Sequence, residues 1–102
     1  MFDRLKFTPH PVMKGGLVAK HIFDNGFGVS VIKGPLSYGG PHLYELAVLR
    51  DTGLDTVLDY DQTVQHHDGT GAIKIDDVLG WLTPDLVTHY MHEISKLKRL
   101  TN

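Results

Sequence analysis

Histidine is the residue type in this chain with the widest choice of chemistry, and seven histidines occur in 102 residues. His66 and His67 are adjacent, and His89 and His92 are spaced i, i+3, which on a helix lets two imidazoles reach one metal ion. On a helical wheel, however, His89 and His92 project away from the apolar stripe, with no third ligand at the same angle. We therefore interpret the histidines as scattered surface residues and expect no cofactor. The alternative is a metal site that includes His66, His67, His89 and His92.

Covalent catalysis finds little support in the sequence. The chain has no cysteine, and none of its serines stands in the strand–turn–helix elbow of the hydrolases. A predicted hairpin places Ser30 opposite His21. An exposed Ser–His pair without an orienting acid, however, is usually a polar surface pair with no catalytic role. Gly26-Phe27-Gly28 leads into a second strand and not into a helix, so it is not a dinucleotide fingerprint. We expect a protein that is not an enzyme.

The segment 34–42 is a better candidate for function. It contains two prolines and three glycines, so it fits neither a strand nor a helix. It is also longer than the roughly 2–5 residues usual for a hairpin connection, and long loops in compact domains are often functional. The predicted partner-binding residues are Pro35, Tyr38, Gly39, Gly40 and His42. The alternative is that Tyr38 folds back and covers an edge of the sheet.

A β-hairpin is predicted over residues 17–33, with strands at 17–23 and 27–33. Asn25-Gly26 lies between two apolar runs and suits a two-residue type I′ turn, which needs positive φ at both positions. This register places Ile22 opposite Val29. It also predicts a core face formed by Val18, Ile22, Val29 and Val31.

Further strands are predicted at 43–49, 54–60 and 72–75. The stretch from there to Leu82 fits either a strand or a helix. Trp81 stands between apolar neighbours, and we interpret it as a core residue.

The C-terminal residues predict an amphipathic helix over 84–98. Thr83 suits the N-cap and Pro84 the first helical position. Apolar residues then recur at helical spacing, at Leu86, Val87, Tyr90, Met91, Ile94 and Leu97. Such a helix needs a surface to pack on. The predicted fold class is therefore α+β, an antiparallel sheet of four to five strands with the hairpin at Asn25-Gly26 and one C-terminal helix packed on it.

The length of the chain predicts a single domain, residues 1–102. Its parts are an N-terminal arm at 1–16, a mainly β region at 17–82 and the helix at 84–98. We expect the arm to lie on the domain through Phe2, Leu5 and Phe7, or else to be partly loose.

Charge is unevenly distributed, although the formal net charge is only −2. Residues 51–85 carry eight aspartates against the single lysine Lys74. Nucleic-acid binding needs a concentrated basic surface, so we do not expect it. Neither a run of about 18 apolar residues nor the apolar middle of a secretory signal is present, so we expect no membrane association.

Four segments together resemble a family of small, uncharacterised tailed-bacteriophage accessory proteins. They are Asn25-Gly26-Phe27-Gly28-Val29-Ser30-Val31, Ser37-Tyr38-Gly39-Gly40, Leu43-Tyr44-Glu45-Leu46-Ala47-Val48-Leu49 and Asp76-Asp77-Val78-Leu79-Gly80-Trp81-Leu82-Thr83. The resemblance covers about residues 20–98, without the arm at 6–16 or the His66-His67 pair. It implies a phage-encoded protein that works in the host cytoplasm.

The sequence thus predicts a non-catalytic accessory protein that binds a host or phage protein, for example as an inhibitor of a host enzyme or defence system. A homodimer formed through a sheet edge is a further expectation. Two alternatives stay open: a metal-dependent enzyme or ligand-binding protein that uses histidines and aspartates, and a minor virion component.

Overall fold

A five-stranded antiparallel sheet carries one C-terminal helix, and this confirms the predicted α+β fold class. The computed structural model describes residues 1–50, 63–65, 69, 71–74 and 78–97. A short 3-10 helix at Phe2–Arg4 comes first in the chain. The strands are β1 (Thr8–Pro9), β2 (Leu17–Ile22), β3 (Phe27–Lys33), β4 (Tyr44–Arg50), β5 (Thr63–Gln65), β6 (Ala72–Lys74) and β7 (Leu79–Leu82), and helix α1 spans Pro84–Ser95.

The strand order in the main sheet is β1-β2-β3-β4-β7, and β5 pairs with β6 in a separate two-stranded ribbon. The strands predicted at 17–23, 27–33, 43–49 and 72–75 correspond to β2, β3, β4 and β6. The strand predicted at 54–60 lies outside the described residues. The stretch up to Leu82 fitted either a strand or a helix, and its described part at Leu79–Leu82 is extended as β7.

The hairpin turn between β2 and β3 has three residues, so the predicted two-residue turn is wrong. Phe23 N–H donates to Phe27 O at 2.7 Å, and Gly26 N–H donates to Phe23 O at 3.1 Å. Gly26 has a φ of 89°, but Asn25 is not in the left-handed region. This geometry matches a turn closed by one left-handed glycine, the usual three-residue hairpin loop.

The extra turn residue shifts the register by one and exchanges the faces of β2. Ile22 lies opposite Gly28, and Ala19 lies opposite Val31. Ala19 is therefore buried in the core, whereas Ile22 is 44% exposed on the outer face. The predicted core face was right for Val29 and Val31 on β3 but wrong for Val18 and Ile22 on β2.

The core lies between the sheet and α1. The helix contributes the fully buried residues Val87, Tyr90, Met91 and Ile94, and the sheet contributes Phe27, Val29, Val31 and Leu46. Burial of each such side chain contributes about 1.5–3 kcal/mol. The predicted packing of the arm is confirmed, because Leu5 is buried in this core while Phe2 and Phe7 pack against it.

Helix α1 begins as predicted and ends earlier. The Thr83 side chain accepts from Leu86 N–H at 3.3 Å, and Pro84 occupies the first turn. The helix was predicted to reach 98, but it ends at Ser95. The Asn25 side-chain amide donates to Ile94 O at 2.8 Å and to Leu97 O at 3.1 Å, so it caps the carbonyl end of the helix. Ile94 O also accepts from Leu97 N–H at 3.2 Å.

Within the described part of the chain, no helix has the length and apolar content that a membrane span requires.

Candidate partner-binding site

The loop 34–42 is folded around the hydroxyl group of Ser37. The Ser37 oxygen accepts from Gly34 N–H at 3.1 Å. It also lies 3.0 Å from Gly34 O and 3.3 Å from Gly40 O, and it can donate to either carbonyl. One short side chain therefore ties the start of the loop to its far end.

Two successive backbone turns complete the loop. Ser37 N–H donates to Gly34 O at 3.2 Å, and Gly40 N–H donates to Ser37 O at 2.9 Å. Pro35 occupies the second position of the first turn, where its fixed φ is favourable. Gly39 occupies the third position of the second turn with a φ of 101°, a conformation that favours glycine.

Tyr38 is fixed to the sheet by its backbone. Tyr38 N–H donates to the Glu45 carboxylate at 3.1 Å, and Tyr38 O accepts from Trp81 N–H at 3.4 Å. Glu45 belongs to β4 and Trp81 to β7, so the loop is held against two strands. The tyrosine side chain consequently has a defined starting position on the surface.

A β-bulge interrupts the pairing of β4 with β7. Tyr44 lies opposite Leu82 and Leu46 lies opposite Leu79, so Gly80 and Trp81 together face the single residue Glu45. Bulges bend an edge strand and change the direction of a side chain, and they are frequent beside functional sites. Here the side chain that changes direction is that of Trp81.

Trp81 has a left-handed backbone with a φ of 55°, and no other non-glycine residue among the described ranges has positive φ. This conformation costs an L-residue roughly 1–2 kcal/mol. Trp81 does not recover that cost by burial, because it is 63% exposed. Strain of this kind clusters at functional sites, where the surrounding structure maintains it.

The Trp81 ring stacks on the Tyr38 ring, with 5.4 Å between centroids and 28° between planes. Tyr38 is 57% exposed, so both rings offer area to solvent. We call this pair the aromatic platform. Gly80 allows the contact, because a Cβ at that position would lie 2.5 Å from the Cβ of Tyr38.

Other exposed apolar side chains come from the same two segments, Leu36 from the loop and Val78 from the residue before β7.

Trp81 was interpreted from the sequence as a core residue, and this was wrong. The bulge turns it outward, while its neighbour Leu82 is buried. Tyr38 lies against the edge strand β7, as the second alternative described, and it is still 57% exposed. Partner binding by Tyr38 stays a prediction.

The remaining loop candidates precede and follow Tyr38 in the sequence. Pro35 and His42 are exposed, and Gly39 and Gly40 are half-buried with positive φ. Gly39 also packs closely, because a Cβ there would lie 2.7 Å from the Cβ of Leu43. Ser37, Glu45 and Trp81 complete the site, and sequence reasoning had not placed them in it.

The predicted histidine candidates are only partly described. His66 and His67 lie outside the described residues. On α1, His89 is half-buried with its ring edge-on to that of Tyr90 at 4.9 Å, and His92 is exposed. Over the described ranges, no three side chains of the types that ligate metals are grouped closely enough to hold an ion.

Ser30 and His21 do not form the pair suggested by the predicted hairpin. The shifted register pairs Ser30 with Lys20 and His21 with Val29, so the two residues project from opposite faces of the sheet. The His21 ring instead lies against Phe23, 5.0 Å between centroids.

Compared with known proteins, the chain matches no protein-family model, no curated protein and no solved structure.

Proposed function

We propose that this chain is a non-catalytic accessory protein that binds another protein through the aromatic platform and loop 34–42. The observation that carries the proposal is the exposed, left-handed Trp81 stacked on Tyr38. A tryptophan kept exposed at a cost in stability is easiest to explain if the exposed ring has a use.

The composition of the platform suits protein recognition. Tryptophan and tyrosine are enriched among the residues that dominate binding energy at interfaces, because they bury large areas and have few rotatable bonds. The hydrogen bonds of Ser37 and Glu45 order the loop before a partner arrives. An ordered loop loses less conformational entropy on binding, which favours affinity.

The identity of the partner rests on the sequence resemblance to phage accessory proteins. We propose a partner from the infected host or from the phage itself, met in the host cytoplasm. Inhibition of a host enzyme or defence system is the form of activity that we favour, since a small rigid protein with an aromatic surface can act by covering a site.

Affinity capture from phage-infected bacteria, followed by mass spectrometry, tests the proposal. The native chain is compared with Trp81→Ala, Tyr38→Ala and the control Val12→Ala. Val12 is 87% exposed and distant in sequence from the platform. We expect native chain and control to recover one protein in the same amount, and each aromatic variant to recover at least about tenfold less, as for loss of an interface anchor.

Circular dichroism spectra of the purified variants should match the native spectrum, which excludes unfolding as the cause. Equal recovery of every captured protein by all four chains would refute the platform as the binding surface.

The homodimer expected from an open sheet edge stays a prediction, and the described edges do not favour it. β1 has only two residues, one of them Pro9, and β7 carries the bulge. Short strands, proline and bulges are the features that block pairing between sheet edges. Size measurement across concentrations tests the expectation.

A further inference from the structure

A cavity of about 470 Å³ lies between the N-terminal arm and the outer face of β2 and β3. The arm contributes Lys6, Thr8 and His10, and the sheet contributes Lys20, Ser30 and Ile32. Its volume falls in the range of about 300–1,000 Å³ that is usual for small-molecule sites. It is separate in sequence from the aromatic platform, which belongs to the loop 34–42 and β7.

The wall formed by the arm has a fixed shape. Thr8 pairs with Val18 in the sheet, and His10 N–H donates to Gly16 O at 2.9 Å. The His10 Nδ1 atom accepts from Val12 N–H at 3.1 Å and from Met13 N–H at 2.9 Å. These bonds hold the imidazole in place, so the cavity does not depend on a loosely attached segment.

The same bonds determine which histidine nitrogen is left for a ligand. Because Nδ1 accepts two hydrogen bonds, it carries no hydrogen, and Nε2 of His10 is then the N–H donor. Ser30 is half-buried in the cavity wall and adds a hydroxyl group. The cavity wall therefore has at least two uncharged hydrogen-bond donors, the His10 Nε2–H and the Ser30 hydroxyl group.

The charge of the cavity wall is positive, in contrast with the net negative charge of the chain. Lys6 and Lys20 both line the cavity, and the residues described as lining it include no aspartate or glutamate. Within the described ranges, neither lysine lies within ion-pair distance of a carboxylate. Two unneutralised ammonium groups in one concave site favour an anion.

We propose that this cavity binds a small organic anion, with a phosphate or carboxylate group held by Lys6, Lys20 and the Nε2–H of His10. Val18 and Ile32 supply an apolar wall beside these donors. The organic part of the ligand lies against this wall, while charge-assisted hydrogen bonds from the lysines hold the anionic group.

The test is a ¹H–¹⁵N NMR titration of the full chain at low ionic strength. Four probes are used: phenyl phosphate, phenylacetate, inorganic phosphate and the neutral benzyl alcohol. We expect saturable shifts at the amides of Lys6, Thr8, His10, Lys20 and Ser30. We also expect phenyl phosphate or phenylacetate to bind more tightly than inorganic phosphate. The tighter of these two organic anions identifies the anionic group, phosphate or carboxylate, that the cavity prefers.

Lys20→Met is compared with Lys14→Met, an exposed lysine of the arm that does not line the cavity. We expect Lys20→Met to weaken binding about tenfold, as for the loss of one charge-assisted hydrogen bond. Lys14→Met should change it less than twofold. The proposal is overturned if no anion gives saturable shifts at the cavity, if benzyl alcohol binds as well as the anions, or if the two variants weaken binding equally.

Discussion

The turn at Asn25 and the bulge at Trp81 both interrupt the regular sheet, but they treat their side chains in opposite ways. Asn25 is a polar residue that is buried, and its amide group makes hydrogen bonds with Phe27, Ile94 and Leu97. Trp81 is an aromatic residue that is exposed, and its backbone is strained.

The difference separates a contact that stabilises the fold from the surface that we propose for binding. Asn25 joins the β2–β3 hairpin to the C-terminal end of α1, 69 residues away, so its bonds stabilise the whole fold. Trp81 and Tyr38 are both more than half exposed, and an aromatic pair of this kind contributes only about 0.5–1.5 kcal/mol beyond the area that it buries. Features that weaken a fold persist where they serve another purpose, which is why we place binding at the bulge and not at the turn.

The largest effect on stability is expected from Asn25→Asp. The carboxylate would face the carbonyl oxygens of Ile94 and Leu97 instead of donating to them. We expect the free energy of unfolding to fall by about 3 kcal/mol, because the amide donor is lost and a buried carboxylate faces two carbonyl oxygens. Urea unfolding followed by circular dichroism measures it, and the loss should shrink at acidic pH, where a protonated carboxyl group donates again.

Asp24→Asn is the matched control, because Asp24 is the exposed neighbour in the same turn. It should change stability by less than about 0.5 kcal/mol. A loss below about 1 kcal/mol for Asn25→Asp would show that the turn does not anchor the helix.

An intermediate effect is expected from Ser37→Ala, which removes the hydroxyl group that closes the loop 34–42. Gly34 N–H would lose its acceptor, and we expect a loss of about 1.5 kcal/mol in urea unfolding. The platform residues are unchanged, yet affinity for the captured partner should fall because the loop is no longer ordered before binding.

Ser95→Ala is the control for this variant, since its exposed hydroxyl donates only to His92 O at the end of the helix. It should leave partner binding unchanged. Full affinity in Ser37→Ala would show that the order of the loop makes no contribution to recognition.

The fold class could be predicted because its signals are local. The helix follows from Thr83, Pro84 and the spacing of its apolar residues, and the strands follow from short apolar runs between turn residues. The register of the hairpin could not be predicted in the same way. Asn25-Gly26 favours a two-residue turn by itself, and the structure uses Asn25 for a contact with the helix end that no local pattern contains.

The candidate site was predictable in part. The glycines and prolines of 34–42 mark the loop, and Tyr38 was identified there. Trp81 was missed because apolar neighbours favour burial, and no sequence signal marks a tryptophan with positive φ. The glycine before it is the one local sign of a bulge, and it becomes informative only once β4 and β7 are known to pair.

The smallest expected effect compares Trp81→Gly with Trp81→Ala. Both variants lose the stack on Tyr38, so they differ only in backbone preference. In an ordinary strand alanine is the more stable by about 0.5–1 kcal/mol, but at a left-handed position glycine avoids the steric cost. We expect Trp81→Gly to be more stable than Trp81→Ala by about 1 kcal/mol in urea unfolding. Circular dichroism is the appropriate signal, because Trp81 is the single tryptophan of the chain and both variants lose its fluorescence.

If alanine were instead the more stable of the two, the backbone at the bulge would carry no strain, and the contrast between Asn25 and Trp81 would reduce to a difference in burial.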